Sequence, residues 1–422
     1  MYKKIIILTA AVGFIAAGCS NQGQLGKVSE KTGLPYGGDG YTPLAKYVQP
    51  TPFGMKFVEG GTFHMGGSEK DIAYSMDNRE RQVTVHSFYM DETEVTNNDW
   101  HEFMFYMKRY NAEIPEEDLM PDTLVWFRDL GYNEPFVELY FQNPAFSLYP
   151  VVGVTWYQAN EYCNWRTQVV NAGGPNPTAT AVIDPKNPSG SVPLPNFRLP
   201  TEAEWEYASR ALYEQEIYPW EGKPMRNAAG RFMANFKRGR GDYAGRSDQG
   251  ASTLVEGLND GYMIPAPVRA YWINDFGLYN MAGNVAEWTM DTYRVLAYDD
   301  NDDFQPFRRR GELFWEKDAD RDDYKYAKDG DPVNNPGNAR LSLLYNPVAN
   351  QKRGLSLKFN PGPVPYEESD FDRIKVYRGG SWKDPAYYLS TGTRRFYNAD
   401  SCAAHIGFRC AMTRVGSPSL SY

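Results

Sequence analysis

Four cysteines and four histidines are the residues of this 422-residue chain best suited to metal, redox or nucleophilic work. The histidines are His64, His86, His101 and His405, and none stands at the short spacing at which two imidazoles share a metal. There is no His-Glu-x-x-His helix, no Gly-x-Ser-x-Gly elbow, no phosphate loop and no Cys-x-x-Cys pair. The cysteines, Cys19, Cys163, Cys402 and Cys410, are few and far apart, a usage that fits an oxidising compartment. The stretch from Arg378 to Cys410 is the most ordered in pattern. Arg378-Gly379-Gly380-Ser381-Trp382 reads as an incoming strand and Ile406-Gly407-Phe408-Arg409-Cys410 as an outgoing one, a long-tipped hairpin. Its paired glycines imply positive φ or close backbone approach.

The elements that must position these residues follow from period and capping. Phe57–Gly66 predicts strand, Gly-Gly turn, strand. Val83–Met90 alternates as one strand. Thr96 caps a helix with Asp99 reaching back, and Trp100, Phe103, Met104 and Met107 form its buried stripe. Pro150–Val154 reads as a buried strand. Thr155 and Gln158 then open a second helix whose inner face carries Ala159, Tyr162, Cys163 and Val170. Thr201 and Glu204 open a third, with Trp205 and Ala208 turned inward. Residues 109–149 are acidic and Pro-rich and read as an insertion. Residues 171–196 read as a surface loop, and 292–375 as a second, charged, Tyr-rich insertion.

The first residues are an address. Lys3 and Lys4 precede the apolar run Ile5–Gly18, which is short for a span of ~20 residues. The run ends in Ala16-Ala17-Gly18-Cys19, which resembles a bacterial lipobox. That resemblance implies removal of residues 1–18, lipidation of Cys19, and a tether over residues 19–50. Ser20 after the cysteine, with no acidic run following, implies the outer membrane and its periplasmic face. The formal net charge is −9, and removal of the leader takes two more lysines away. A phosphate backbone is repelled by such a surface, so nucleic acid is excluded as a partner. Arg308-Arg309-Arg310 is the one compact basic cluster, and it is flanked by acids.

Arg378–Trp382 and Gly407–Cys410, together with Arg198-Leu199-Pro200-Thr201-Glu202-Ala203-Glu204-Trp205-Glu206-Tyr207-Ala208 and Gly283-Asn284-Val285-Ala286-Glu287-Trp288, resemble the formylglycine-generating enzyme, or sulfatase-modifying factor, family. The resemblance runs from about Pro52 to Arg414. It implies an α+β fold, irregular and loop-rich, distantly like C-type lectins, over residues 51–415 with a tail at 416–422. In the enzymes two cysteines hold copper and perform the oxidation. By spacing from Ser381 those positions are Asp384 and Leu389, so the resemblance implies the fold without the copper chemistry. It also implies a disulfide between Cys163 and Cys410. A second family disulfide falls on Ser209 and Arg394, both non-cysteine, and Cys402 is left as a small buried residue. Two loops match positions that hold structural calcium in the enzymes. The first would use Asn235, Phe236, Asp260 and Tyr262; the second Asn274, Asp275, Gly277 and Tyr279. Oxygen ligands from turns suit a hard cation, and Asx-turn hydrogen bonding is the alternative.

Phe57–Gly66, Ser87–Asn97, Pro121–Trp126, Leu130–Glu134 and Tyr149–Val154 narrow the resemblance further, to the gliding-motility lipoprotein group GldJ; the sibling group GldK (PorK) shares only the general motifs. This resemblance implies a non-catalytic structural component of the type IX secretion and gliding machinery, anchored in the outer membrane beside ring proteins of the GldK and GldN type. Two other readings stay open: a protein-cysteine oxidase with relocated ligands, and a lipid-anchored ligand-binding module.

Overall fold

We describe the protein from a computed structural model. The described residues are 29, 31–35, 49–67, 78, 80–110, 115–128, 132–172, 193–211, 213, 216–228, 230–238, 262–293, 304–307, 313–318, 323–328 and 373–416. The chain divides into two compact units. The larger holds Thr51–Thr180 and Pro195–Arg414. The smaller holds Met1–Pro50, Ala181–Leu194 and Val415–Tyr422; within it, the Val415 N–H donates to Gln49 Oε1 at 2.6 Å.

In the larger unit, one antiparallel sheet joins β1 (Met55–Val58), β4 (Phe88–Asp91), β12 (Ala411–Thr413) and β5 (Phe197–Arg198), in that spatial order. A second sheet has the order β10 (Arg395–Asn398), β9 (Ile374–Arg378), β6 (Ala286–Thr292), β11 (Ile406–Gly407). There β10, β9 and β6 are antiparallel and β11 runs parallel to β6. Two hairpins complete the strands: β2 (Gly61–Met65) with β3 (Arg81–Val85), and β7 (Leu313–Asp318) with β8 (Asp323–Lys328) in the second insertion.

This topology corrects three expectations. Val83–Met90 is not one strand; the chain breaks at His86-Ser87, so β3 pairs with β2 while β4 crosses to the other sheet. The segments Arg378–Trp382 and Ile406–Cys410 do not pair with each other, because β6 lies between them. Pro150–Val154 is buried but makes a single bridge, Thr96 to Pro150, rather than a ladder. Hydrophobicity marks burial in each case; long-range pairing is not encoded in local alternation.

The helix starts follow their capping residues. Asp99 Oδ2 accepts from the Thr96 N–H at 3.0 Å, and the Asp99 N–H donates to Thr96 Oγ1, opening α1 (Asn97–Tyr110). Thr155 and Gln158 make the same reciprocal pair before α4 (Trp156–Ala172), as do Thr201 and Glu204 before α5 (Glu202–Arg210). Trp100 and Phe103 of α1, Tyr162 and Trp165 of α4, and Phe408 form one aromatic cluster with centroids 5.0–5.9 Å apart. Edge-to-face and stacked contacts of this kind add specificity to the area they bury. Trp205 and Ala208 of α5 pack with Val58, Phe63, Val83, Phe88 and Met281 in a second core.

The first insertion is folded onto the domain. It contains α2 (Glu116–Leu119), a 3-10 turn at Thr123–Trp126 and α3 (Glu134–Gln142). Trp126 and Tyr140 are buried against Val152, Val285 and Cys402. The Trp100 indole donates to Leu119 O at 3.0 Å, the Asn97 amide donates to Tyr140 O, and the Tyr140 hydroxyl donates to Pro150 O at 2.7 Å. No described helix is long and apolar enough to cross a membrane.

Candidate functional site

The paired glycines after β9 aim the chain into the site. Gly379 and Gly380 both have positive φ, 95° and 66°. A Cβ on Gly380 would sit 2.7 Å from Tyr388 O and 2.9 Å from Leu389 Cδ1, so only glycine fits. The chain then presents Ser381, Trp382 and Asp384 and returns through a 3-10 turn at Ala386–Leu389. The Ser381 hydroxyl donates to Asp384 Oδ2 at 2.5 Å. Arg395 donates to Asp384 Oδ1 at 2.7 Å. The Arg395 guanidinium lies over the Tyr377 and Tyr388 rings, 5.1 and 4.6 Å from their centroids. Asp384 is buried and both its oxygens are engaged.

Leu389 is fully buried among Tyr218, Trp220, Phe232, Met233 and Ala282. Its Cδ2 lies 3.2 Å from where a Cβ on Gly283 would sit. A soft, thiolate-binding metal therefore finds an engaged carboxylate at one position and hydrocarbon at the other. Trp382 donates from its indole to Ala404 O at 3.0 Å and stacks on Trp126, centroids 5.9 Å apart. The first insertion thus packs directly on the loop that carries Ser381. Nothing local in the sequence marks Arg395, since its role depends on β10 returning alongside β9.

Beside this loop runs a buried polar network that the motifs encode. Gly283 and Asn284 turn the chain into β6, with Asn284 at φ 62°. Glu287 of β6 accepts from the Trp205 indole at 2.7 Å and from the Arg409 fork at 2.6 and 2.7 Å. Arg409 also donates to Asp91 O and Tyr279 O. The Asn280 and Asn284 amides each donate to Glu94 at 2.9 Å. Burial pushes the Glu94 carboxyl up to about 7 against the pull of Arg409. Arg378 pairs with Glu206, and Arg394 donates to Glu202 at 3.0 Å. Arg394, at a position where the family disulfide would need cysteine, is thus held by charge, while the Ser209 hydroxyl donates to Met281 O.

Cys163 and Cys410 are buried, with their sulfurs 3.3 Å apart. Burial pushes the Cys410 thiol well above its ordinary range, as for a structural rather than a reactive cysteine. Oxidation of this pair closes a long loop, and Cys410→Ser is expected to lower stability by ~2–4 kcal/mol under oxidising conditions. Thiol mapping of the unreduced, denatured protein, followed by melting of the variant, checks this; alkylation at both Cys163 and Cys410 and an unchanged melt would sink the pairing. Cys402 is buried as expected, its thiol 3.6 Å from Asp122 Oδ2 and pushed up to about 12 by burial. Cys19 lies outside the described residues.

The two loops with oxygen donors differ. In the first, Asn235 is buried and its Oδ1 has no hydrogen-bond partner among the described residues, while its amide donates to Ile264 O at 2.9 Å. An orphaned oxygen fits a hard cation. Tyr262 O accepts from Arg238 at 2.9 Å, Phe236 is buried, and Asp260 lies outside the described residues. In the second, Asn274 Oδ1 already accepts from the Phe276 and Leu278 N–H groups, at 3.2 and 3.0 Å. Gly277, at φ 78°, donates its N–H to Asn274 O, Asp275 is exposed, and Tyr279 O accepts from Arg409. Each loop has a guanidinium on one carbonyl. Here two amides also occupy Asn274 Oδ1, the oxygen a cation would need, so this loop is a closed Asx turn, whereas Asn235 Oδ1 of the first loop is left open. Among the described residues, no three His, Cys, Asp or Glu side chains cluster as metal ligands.

The family model for the sulfatase-modifying factor enzyme 1-like domain matches residues 43–414. The chain belongs to that family. It is 29% identical over 266 residues to the inactive C-alpha-formylglycine-generating enzyme 2 of Bos taurus, covering 58% of this chain and 73% of that one. To the formylglycine-generating enzyme of Mus musculus it is 27% identical, covering 56% and 58% respectively. The solved structure of PvdO from Pseudomonas aeruginosa is 19% identical, with a TM-score of 0.45 over 85% of this chain and 94% of that one. The family therefore includes members named inactive beside members named as enzymes. The α+β, loop-rich fold expected from the motifs is the fold of this family.

Proposed function

We propose that this chain is a non-catalytic member of its family, acting as a lipid-anchored structural component of the type IX secretion and gliding machinery. The observation that carries the non-catalytic reading is the pair Asp384 and Leu389. One is locked between Ser381 and Arg395, and the other is sealed in a hydrophobic cluster. In this reading Cys19 carries the lipid, the domain faces the periplasm from the outer membrane, and the partners are ring proteins of the GldK and GldN type. A single structural calcium would be held at the first loop, with the orphaned Asn235 Oδ1 as its support.

Affinity capture of the lipidated protein from its own outer membrane tests the scaffold reading. Ring proteins at reproducible stoichiometry are expected; recovery of the protein alone, or with a soluble client, overturns it. Addition of copper and a thiol peptide is expected to produce no oxygen consumption; turnover would restore the oxidase reading. Chelation is expected to lower the melting temperature if the first loop binds calcium, and an unshifted melt would remove the ion.

A further inference from the structure

We propose that the first insertion presents a docking surface for a protein partner with an apolar pocket rimmed by lysine and arginine. The proposal rests on the scaffold reading above and names the surface that serves it. The 3-10 turn at Thr123–Trp126 sorts its side chains by direction. Val125 and Trp126 are buried, while Leu124 and Phe127 are 60% and 66% exposed. Residues three apart in a 3-10 turn eclipse each other, so Leu124 and Phe127 project together. The helix packed on this turn, α3, adds Leu139 at 44% exposure, with Tyr132 at 84% just before it. Scattered exposed apolar residues are ordinary; Leu124 and Phe127 on one turn, with Leu139 on the helix packed against it and Tyr132 just before that helix, are a concentration of them.

The surface is also firmly mounted. Trp126 stacks on Trp382 and contacts Phe136 and Tyr140, so the turn cannot bury Leu124 and Phe127 by rotating without losing that anchor. A preorganised patch loses little entropy on binding.

Charge selects the occupant. Residues 109–149 hold eight carboxylates against two arginines. Glu134 and Glu138 are exposed one turn apart on α3. One of the two arginines, Arg128, is already paired with Asp122 at 2.7 Å. A second copy of this chain would set acid against acid, and an anionic membrane would be repelled for the same reason. A basic-rimmed pocket is attracted by the rim and filled by the leucine and phenylalanine.

The test places a photo-crosslinking amino acid at Leu124 and at Phe127 of the full lipidated chain in its own cells, with Gln82 on β3 as control. Support is an adduct absent at Gln82 whose partner peptide carries apolar residues flanked by lysine or arginine. Its yield should fall about tenfold in E134K/E138K, the effect of losing two rim attractions. Adducts to a second copy, to lipid, to an acidic peptide, or at the control level overturn the proposal, as does a yield unmoved by E134K/E138K. Ring proteins that still co-purify while positions 124 and 127 stay silent would remove this surface and leave the scaffold reading. A basic adduct outside the ring would do the reverse.

Discussion

Arg409→Ala is expected to lower the stability of the larger unit by about 3–5 kcal/mol, the usual result of removing one partner from a buried ion pair. Arg409 and Glu287 are both wholly buried, and the guanidinium serves four acceptors at once. Its loss leaves the Glu287 carboxylate with the Trp205 indole as its remaining described donor. Two backbone carbonyls, Asp91 O and Tyr279 O, lose a donor as well. Arg409→Lys should recover little, because an ammonium cannot reproduce the fork that spans both Glu287 oxygens. The deficit should also grow with pH. Arg409 pulls the Glu94 carboxyl down against burial. Without it the folded-state Glu94 carboxyl rises further, and a carboxyl raised in the folded state loses its contribution as pH increases. Urea unfolding of parent and variants at pH 5 and pH 8 reads both effects. A loss under about 1 kcal/mol, the size of an ordinary hydrogen bond, would show the network to be replaceable.

That network explains why some of this protein is legible in its sequence. Gly283–Trp288 and Gly407–Cys410 are far apart in the chain, yet each motif carries one half of the Glu287–Arg409 pair. A local pattern records each half, and only the parallel pairing of β11 with β6 brings them together. The capping boxes at Thr96, Thr155 and Thr201 are legible for a simpler reason: every atom involved lies within four residues. The hairpin expected between Arg378–Trp382 and Ile406–Cys410 fails because sequence adjacency of two strands does not exclude a third, β6, arriving from earlier in the chain. The Arg395 lock on Asp384 is illegible for the same cause. Its eleven-residue separation crosses the 3-10 turn at Ala386–Leu389, and local pattern holds no record of it.

The first insertion is legible only in part. Its acidic, proline-punctuated composition marks residues 109–149 as an insertion and does not say how they pack. Trp126, Tyr140 and Phe141 are nevertheless buried, and Asn97 and Trp100 of α1 donate into it. Composition reports the outward face, which is acidic. It says nothing of the inward face, where three aromatic residues suffice to fix the segment. The consequence for the site is direct, because Trp126 rests on Trp382, one residue from Ser381. Treating core and insertion separately misses that the insertion packs on the loop that carries Ser381.

Glu161→Gln is expected to stabilise the protein at pH 8 and to change little at pH 4. Glu161 is buried on the inner part of α4, and burial alone pushes its carboxyl from the usual 4.5 up to about 7. Below pH 4.5 folded and unfolded chains both hold the proton, so the side chain is neutral in each and the substitution is nearly isosteric. Between 4.5 and 7 the unfolded chain releases the proton while the folded chain keeps it. Stability therefore falls with rising pH, by as much as ~1.4 kcal/mol per unit. Above 7 the loss is complete, on the order of 3 kcal/mol, and a neutral amide escapes it. Glu94 has a similarly raised carboxyl and gives the parent a slope of the same sign. Subtracting the variant's unfolding free energy from the parent's at each pH cancels that shared slope and leaves the Glu161 contribution. A difference that is constant across pH would mean that Glu161 titrates normally, and a variant less stable at pH 8 would mean that the carboxylate is held by a charge that glutamine cannot satisfy.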